Sequence, residues 1–277
     1  MFSEVPYNLY KANNGMRLLL IPHNNANIVR SNISIKLGSI DEETDKEHGL
    51  AHFLEHMCFK STKKYPESSL LNKLDNMGTS YNAYTTYDHT DYHVELQLKY
   101  LPDVIDLLFD MLYASLFLDE EIDIERQVII RELINKKSQT SFLISELTRM
   151  IITKEKYNKY RHGVGGSIEN VNKINRDDLI KFHKKYNDPT KILICVFGNI
   201  NDETVISNIE SKLYEYIGKV SFMKTNDLKP LKYVPKNIFS DKKVVKFLDR
   251  IVSLNYNTNR SFIRLFFPAF SSFTQCN

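Results

Sequence analysis

Apolar residues recur along this chain with two distinct periods, and the switches between them lay out most of its elements. After Asn14-Gly15 the run MRLLLIP predicts a strand leaving a tight turn, and IVRSNISIKLGSI alternates well enough to predict its antiparallel partner. From Leu50 to Phe59 the spacing becomes helical, with Leu50, Phe53, Leu54 and Met57 on one face. SSLLNKLDNMG predicts a second helix, ended by Gly78. The Thr- and Tyr-rich TSYNAYTTYDHTDYHVELQL alternates again and predicts a strand or strand pair. Pro102 opens a helix reaching about Tyr113, and LDEEIDIERQVIIRELINKK predicts a long helix with an acidic start and a basic end.

The same reading predicts a helix through SFLISELTRMIITK, and another over INRDDLIKFHKKY with Asn175 as N-cap and Asp178 three positions on. KILICVFGNI predicts a buried strand, and DETVISNIESKLYEYI one more amphipathic helix. Hairpins mixed with helices imply an α+β fold: two layers, a mostly antiparallel mixed sheet with helices packed on one face. Composition shifts near Gly218, where KPLKYVPKN reads as an extended linker.

Net charge changes the picture little. It is +3 for the 277 residues, but from Lys219 onward eight Lys and three Arg face three Asp and no Glu. Apolar runs such as SFIRLFFPAF interrupt that basic stretch, which argues against a nucleic-acid arm. Cys58, Cys195 and Cys276 are odd in number and widely spaced, so no disulfide framework is expected. No stretch approaches a membrane span, and the first twenty residues carry no basic start followed by an apolar run. A soluble, intracellular protein is the expectation.

The chemistry lies in HGLAHFLEHMCF, residues 48–59. Side chains four apart on a helix share a face, so His52 and His56 can hold one metal ion together, with Glu55 beside them. Neutral imidazoles suit zinc, whose catalytic sites take three protein ligands and leave a position for water. His48 is excluded as the third ligand, because eight residues of helix separate it from His56 by about 12 Å. The helix entrance suits it better, exposed or hydrogen-bonded to a neighbour. Glu125 and Glu132, seven apart on the long helix, are better candidates. Either can ligate while the other orients a histidine. His89 and His93 read as a partly exposed strand face, Cys58 as a small buried hydrophobe and Cys195 as core.

H-x-x-E-H is the inverzincin motif. With it in place, the chain resembles the pitrilysin/insulysin family of zinc peptidases, in particular one half of a mitochondrial-processing-peptidase-like molecule. GLAHFLEHMCFKST resembles that family's zinc helix, NMGTSYNAYTTYDHTDY its edge strand, DEEIDIERQVIIREL its distal glutamate helix, and INRDDLIKFHKKYNDPTKILICVFGNI the unit closing its first half. The resemblance implies one zinc ion on His52, His56 and Glu132, Glu55 as general base, and Glu125 supporting a zinc-bound histidine. It also implies an extended peptide or unfolded protein as substrate, added to the edge strand at Asn82 and Ala83.

Family members that cut peptides are built from two similar halves, the second supplying an Arg–Tyr pair. Residues 1–218 therefore read as a zinc peptidase N-terminal half, 219–250 as a basic linker, and 251–277 as the truncated start of a second half. A separate half-molecule or a dimer partner is expected, or else the chain is the truncated product of a longer gene. The competing class is a non-catalytic, zinc-binding interaction subunit. A fold-related lyase that cleaves ribosyl-homocysteine also carries H-x-x-E-H, but it uses a distant cysteine where this chain has Glu132.

Overall fold

The most apolar run of the chain lies at the middle of its sheet. A computed structural model describes residues 6–67, 69–152 and 162–225. The described residues form strands β1 (Asn8–Ala12), β2 (Arg17–Pro22), β3 (Val29–Ile35), β4 (Ser80–Thr85), β5 (Thr90–Leu96), β6 (Ile192–Gly198) and β7 (Phe222–Lys224). The helices are α1 (Leu50–Cys58), α2 (Ser69–Asn76), α3 (Leu101–Ala114), α4 (Asp119–Lys137), α5 (Thr140–Ile152), α6 (Ile168–Lys173), α7 (Arg176–Tyr186) and α8 (Asp202–Ile217).

The strands make one sheet in the order β4-β5-β3-β6-β2-β1-β7, antiparallel except for the parallel β2–β6 pair. Register aligns Tyr92, Ile33, Ile194, Leu18 and Tyr10 in one row across five strands, and all five are buried. The intervening positions, such as Asn32, Cys195 and Leu19, are half-buried. With a side-chain period of two, this puts the core on one face of the sheet, where the helices pack. The expected α+β layering is what the chain adopts.

One pairing differs from expectation. β3 is not the partner of β2, because β6 lies between them and pairs with both. The ILICVFG run of β6 can bury apolar side chains all along its length, so it takes the central position and displaces the less apolar β3 by one place. β2 closes the Asn14-Gly15 hairpin with β1, whose NLYKA sequence carries too weak an alternation to announce a strand. Gly15 has φ +93°, which suits that turn.

The helix predictions hold closely. Asn175 and Asp178 form the reciprocal capping box of α7, and α4 runs from three acidic residues to Lys136 and Lys137. Sequence periodicity had no grip on six-residue α6, which Ser167 caps by accepting the Asn170 amide at 3.1 Å. The stretch read as the start of the linker includes β7, which pairs with β1 and carries the sheet past residue 218 to Lys224. The rest of the 219–250 linker, the 251–277 segment and Cys276 lie outside the described residues.

Candidate metal centre

α1 begins at a backbone that only glycine tolerates easily. Gly49, at φ +97°, precedes the first turn, and a Cβ there would lie 2.7 Å from the Gly165 carbonyl oxygen. Having no side chain, Gly49 cannot cap the helix. Glu42 does so from the preceding loop: its carboxyl group accepts the Gly49 amide at 3.2 Å and the Ala51 amide at 3.0 Å. Glu42 is 3% exposed, and burial pushes it up to about 8 against the pull of those amides.

The apolar face of α1 (Leu50, Phe53, Leu54 and Met57) enters the core, and the helix packs against α4, α7 and β4. Its polar face is thereby aimed at α4. His52 Nε2 lies 3.7 Å and His56 Nε2 3.6 Å from Glu132 Oε2, and one donor atom of each residue lies within 4.8 Å of the others. A tetrahedral ion with bonds of about 2.0–2.1 Å spaces its ligands about 3.3 Å apart, so this His2Glu set fits zinc. Two turns earlier on α4, buried Glu125 accepts from His56 Nδ1 at 2.7 Å. That bond turns Nε2 of the His56 ring toward Glu132. Lys60 pairs with Glu125 at 2.5 Å, and Lys136 pairs with Glu132 from the next turn of α4.

The titration pattern follows from this packing. Burial and then neighbouring His56 push His52 down to about 4. Burial acts the same way on His56, but the Glu125 and Glu132 carboxylates outweigh it and hold His56 up at about 9. The two imidazoles, with ring centroids 4.7 Å apart, therefore carry one extra proton between them at neutral pH, and it sits on His56. His56 and then Lys136 hold Glu132 down at about 2 against its burial. Glu55, 8% exposed, is raised by burial, while the Thr85 hydroxyl, donating to its Oε2 at 2.5 Å, acts in the opposite direction.

Thr85 belongs to β4, which with β7 is one of the two edge strands of the sheet among the described residues. Asn82 and Ala83 lie on the same strand beside an open cleft of about 520 Å³ that also contains His52, Glu55, His56 and Glu132. The Ala83 amide donates at 2.9 Å to the Asn82 side chain, so it faces away from the ladder with β5 and toward the free edge. Nothing in the sequence sets Thr85, Lys60 or Glu42 apart as site residues, because each arrives by tertiary packing. Lys136 was readable as the i+4 partner of Glu132.

His48 stands at the helix entrance as expected, but it is buried rather than exposed, stacked on His162. His89 is half-exposed between Asp88 and Asp91, and neither it nor His93 joins a metal-capable group among the described residues. Cys58 is buried, and that burial pushes its thiol up to about 12. Cys195 is not in the core as expected but half-buried, because the period of two in β6 turns it to the face opposite Ile194 and Val196.

A helix carrying H-x-x-E-H, facing a glutamate of a second helix beside a sheet edge, makes a group able to hold a metal ion next to an open cleft. The family described as Insulinase (Peptidase family M16) matches residues 18–162, and the Peptidase M16 inactive domain matches residues 173–259. An uncharacterized zinc protease of Rickettsia bellii is 27% identical over 236 residues, 85% of this chain and 56% of that protein. The probable mitochondrial-processing peptidase subunit beta of Arabidopsis thaliana is 29% identical over 202 residues, 70% of this chain and 38% of that one. The crystal structure of the first half of the periplasmic protease PqqL from Escherichia coli, 27% identical, matches with a TM-score of 0.70 over 77% of this chain and 47% of that chain. This chain belongs to peptidase family M16. It spans 56% and 48% of the first two curated relatives it matches. No helix among the described residues is long and apolar enough to cross a membrane.

Proposed function

We propose that this chain is the zinc-bearing half of a metalloendopeptidase. The observation that carries the reading is the convergence of His52 Nε2, His56 Nε2 and Glu132 Oε2 at tetrahedral spacing, with Glu55 on the same helix face. One zinc ion held by those three residues would supply Lewis acidity, polarising a peptide carbonyl and making a water molecule acidic near neutral pH. Glu55 takes the proton of the attacking water and returns it to the leaving amine. Thr85 fixes one oxygen of Glu55 and leaves the other for that exchange. Glu125 holds the His56 ring in its ligating orientation. Asn82 and Ala83 receive an extended peptide along β4, main-chain bond to main-chain bond.

Residues up to Lys224 form the first half in this proposal, and the match to the Peptidase M16 inactive domain, residues 173–259, begins within it at α7 and extends beyond it toward a second half. A separate half-molecule or a second copy would then complete the substrate chamber. The decisive experiment compares the wild type with Glu55→Gln, measuring bound zinc and cleavage of a quenched-fluorescent peptide mixture. Zinc on both and cleavage by the wild type alone supports the reading. A chain that folds and takes up no zinc overturns it. The match of residues 173–259 to the Peptidase M16 inactive domain favours one second reading, a zinc-binding interaction subunit without turnover. Zinc on both proteins with cleavage by neither, even with a second half supplied, would select it.

A further inference from the structure

The entrance of α1 carries a second group of metal-capable side chains that the peptidase reading leaves unused. Close backbone packing assembles it. A Cβ on Gly166 would lie 2.3 Å from the His48 carbonyl oxygen, so the 163–166 loop rests directly on the chain entering α1. His162, at the start of that loop, thereby stacks on His48 with ring centroids 3.9 Å apart and planes 28° from parallel. Asp45 completes the group: one donor atom each of Asp45, His48 and His162 lies within 4.8 Å of the other two.

We infer that Asp45, His48 and His162 form a second divalent-cation site, suited to zinc and separate from the one on His52, His56 and Glu132. Two imidazoles and a carboxylate are a zinc donor set that leaves a coordination position open. The donors come from segments that are already tied down. His48 is buried at the head of α1, and the main-chain carbonyl of Asp45 accepts from the Asn170 side chain of α6. The main chain is therefore ordered already, and binding asks only that the stacked rings of His48 and His162 turn apart until their nitrogens converge on the ion. Burial, and then the adjacent His162, lower His48, which keeps that ring neutral and able to ligate near pH 7. Asp45 is exposed and offers a path for the ion from solvent. A bound ion would clip the 163–166 loop, whose Gly165 borders the cleft, to the helix that carries His52 and His56.

The test is zinc and cobalt(II) titration of the full chain, starting metal-free, in the wild type, His162→Ala, Asp45→Asn, and a His52→Ala/His56→Ala double variant. The wild type should take two equivalents and the double variant one. Adding His162→Ala to the double variant should abolish the remaining equivalent or weaken it at least tenfold. Because His162 and Asp45 are not fully buried, circular dichroism and thermal melts of their variants check that folding is intact. One equivalent in the wild type, unchanged by His162→Ala and by Asp45→Asn and absent from the double variant, would overturn the second site while leaving the peptidase reading standing. Two equivalents in the wild type, both unaffected by the double variant, would sink the peptidase reading instead.

Discussion

Glu42 offers a test of how α1 is held. In the unfolded chain its carboxyl titrates at an ordinary 4.5, whereas burial in the fold raises it to about 8. The folded protein therefore keeps a proton that the unfolded chain releases. That contribution to stability is whole below pH 4.5 and is lost as pH rises through the window up to about 8. Each pH unit within the window is worth about 1.4 kcal/mol, so metal-free wild type should lose on the order of 2–3 kcal/mol between pH 5 and pH 7 from this group alone. Glu42→Gln keeps an uncharged acceptor for the Gly49 and Ala51 amides and has no proton to lose. Urea unfolding at pH 5, 6 and 7 should give the two proteins similar stability at pH 5, with the Glu42→Gln variant the more stable at pH 7. Glu42→Ala leaves two buried amides without an acceptor and should lie about 2 kcal/mol or more below Glu42→Gln at every pH, its deficit against wild type shrinking as pH rises. Parallel stability curves for wild type and Glu42→Gln would refute the reasoning. They would mean that the helix amides hold Glu42 ionised.

Other consequences can be measured separately. Glu125→Gln keeps the shape but weakens the partner of His56 Nδ1, so zinc affinity measured by chelator competition should fall by about 10–100-fold; unchanged affinity would show that Glu125 does not orient the ligand. Because His56 holds an extra proton before metal arrives while His52 is neutral, zinc uptake at pH 7 should release about one proton, read from the dependence of binding enthalpy on buffer ionisation. Ala83→Pro deletes an edge amide that β5 does not use, so KM for peptides should rise about 2- to 10-fold with zinc content unchanged. A substitution with no effect on KM would move the substrate off this edge. Gly166→Ala forces a side chain into φ +68° and against the His48 carbonyl, and thermal melts should show a loss on the order of 3 kcal/mol.

The parts of this protein written in local pattern are legible in the amino-acid sequence. Apolar spacing places α1, α3, α4, α7 and α8, Asn175 and Asp178 mark a cap, and the H-x-x-E-H pentad names two ligands and a base. Choosing Glu132 over Glu125 is not local. It requires the resemblance to a family, and the structure gives the arrangement its geometry, with Glu132 facing both Nε2 atoms and Glu125 facing His56 Nδ1.

What the sequence alone determined is which residues share a helix or strand face, because a period of 3.6 or 2 depends only on neighbours along the chain. What only the tertiary structure decided is which faces meet. β6 entered between β2 and β3, Thr85 reached Glu55 across the edge of the sheet, Glu42 capped a helix whose own N-terminal residue is glycine, and the 163–166 loop carried His162 onto His48. These contacts join residues far apart in sequence or on different elements. Their geometry is set by close packing of the whole core, which no short window of sequence contains.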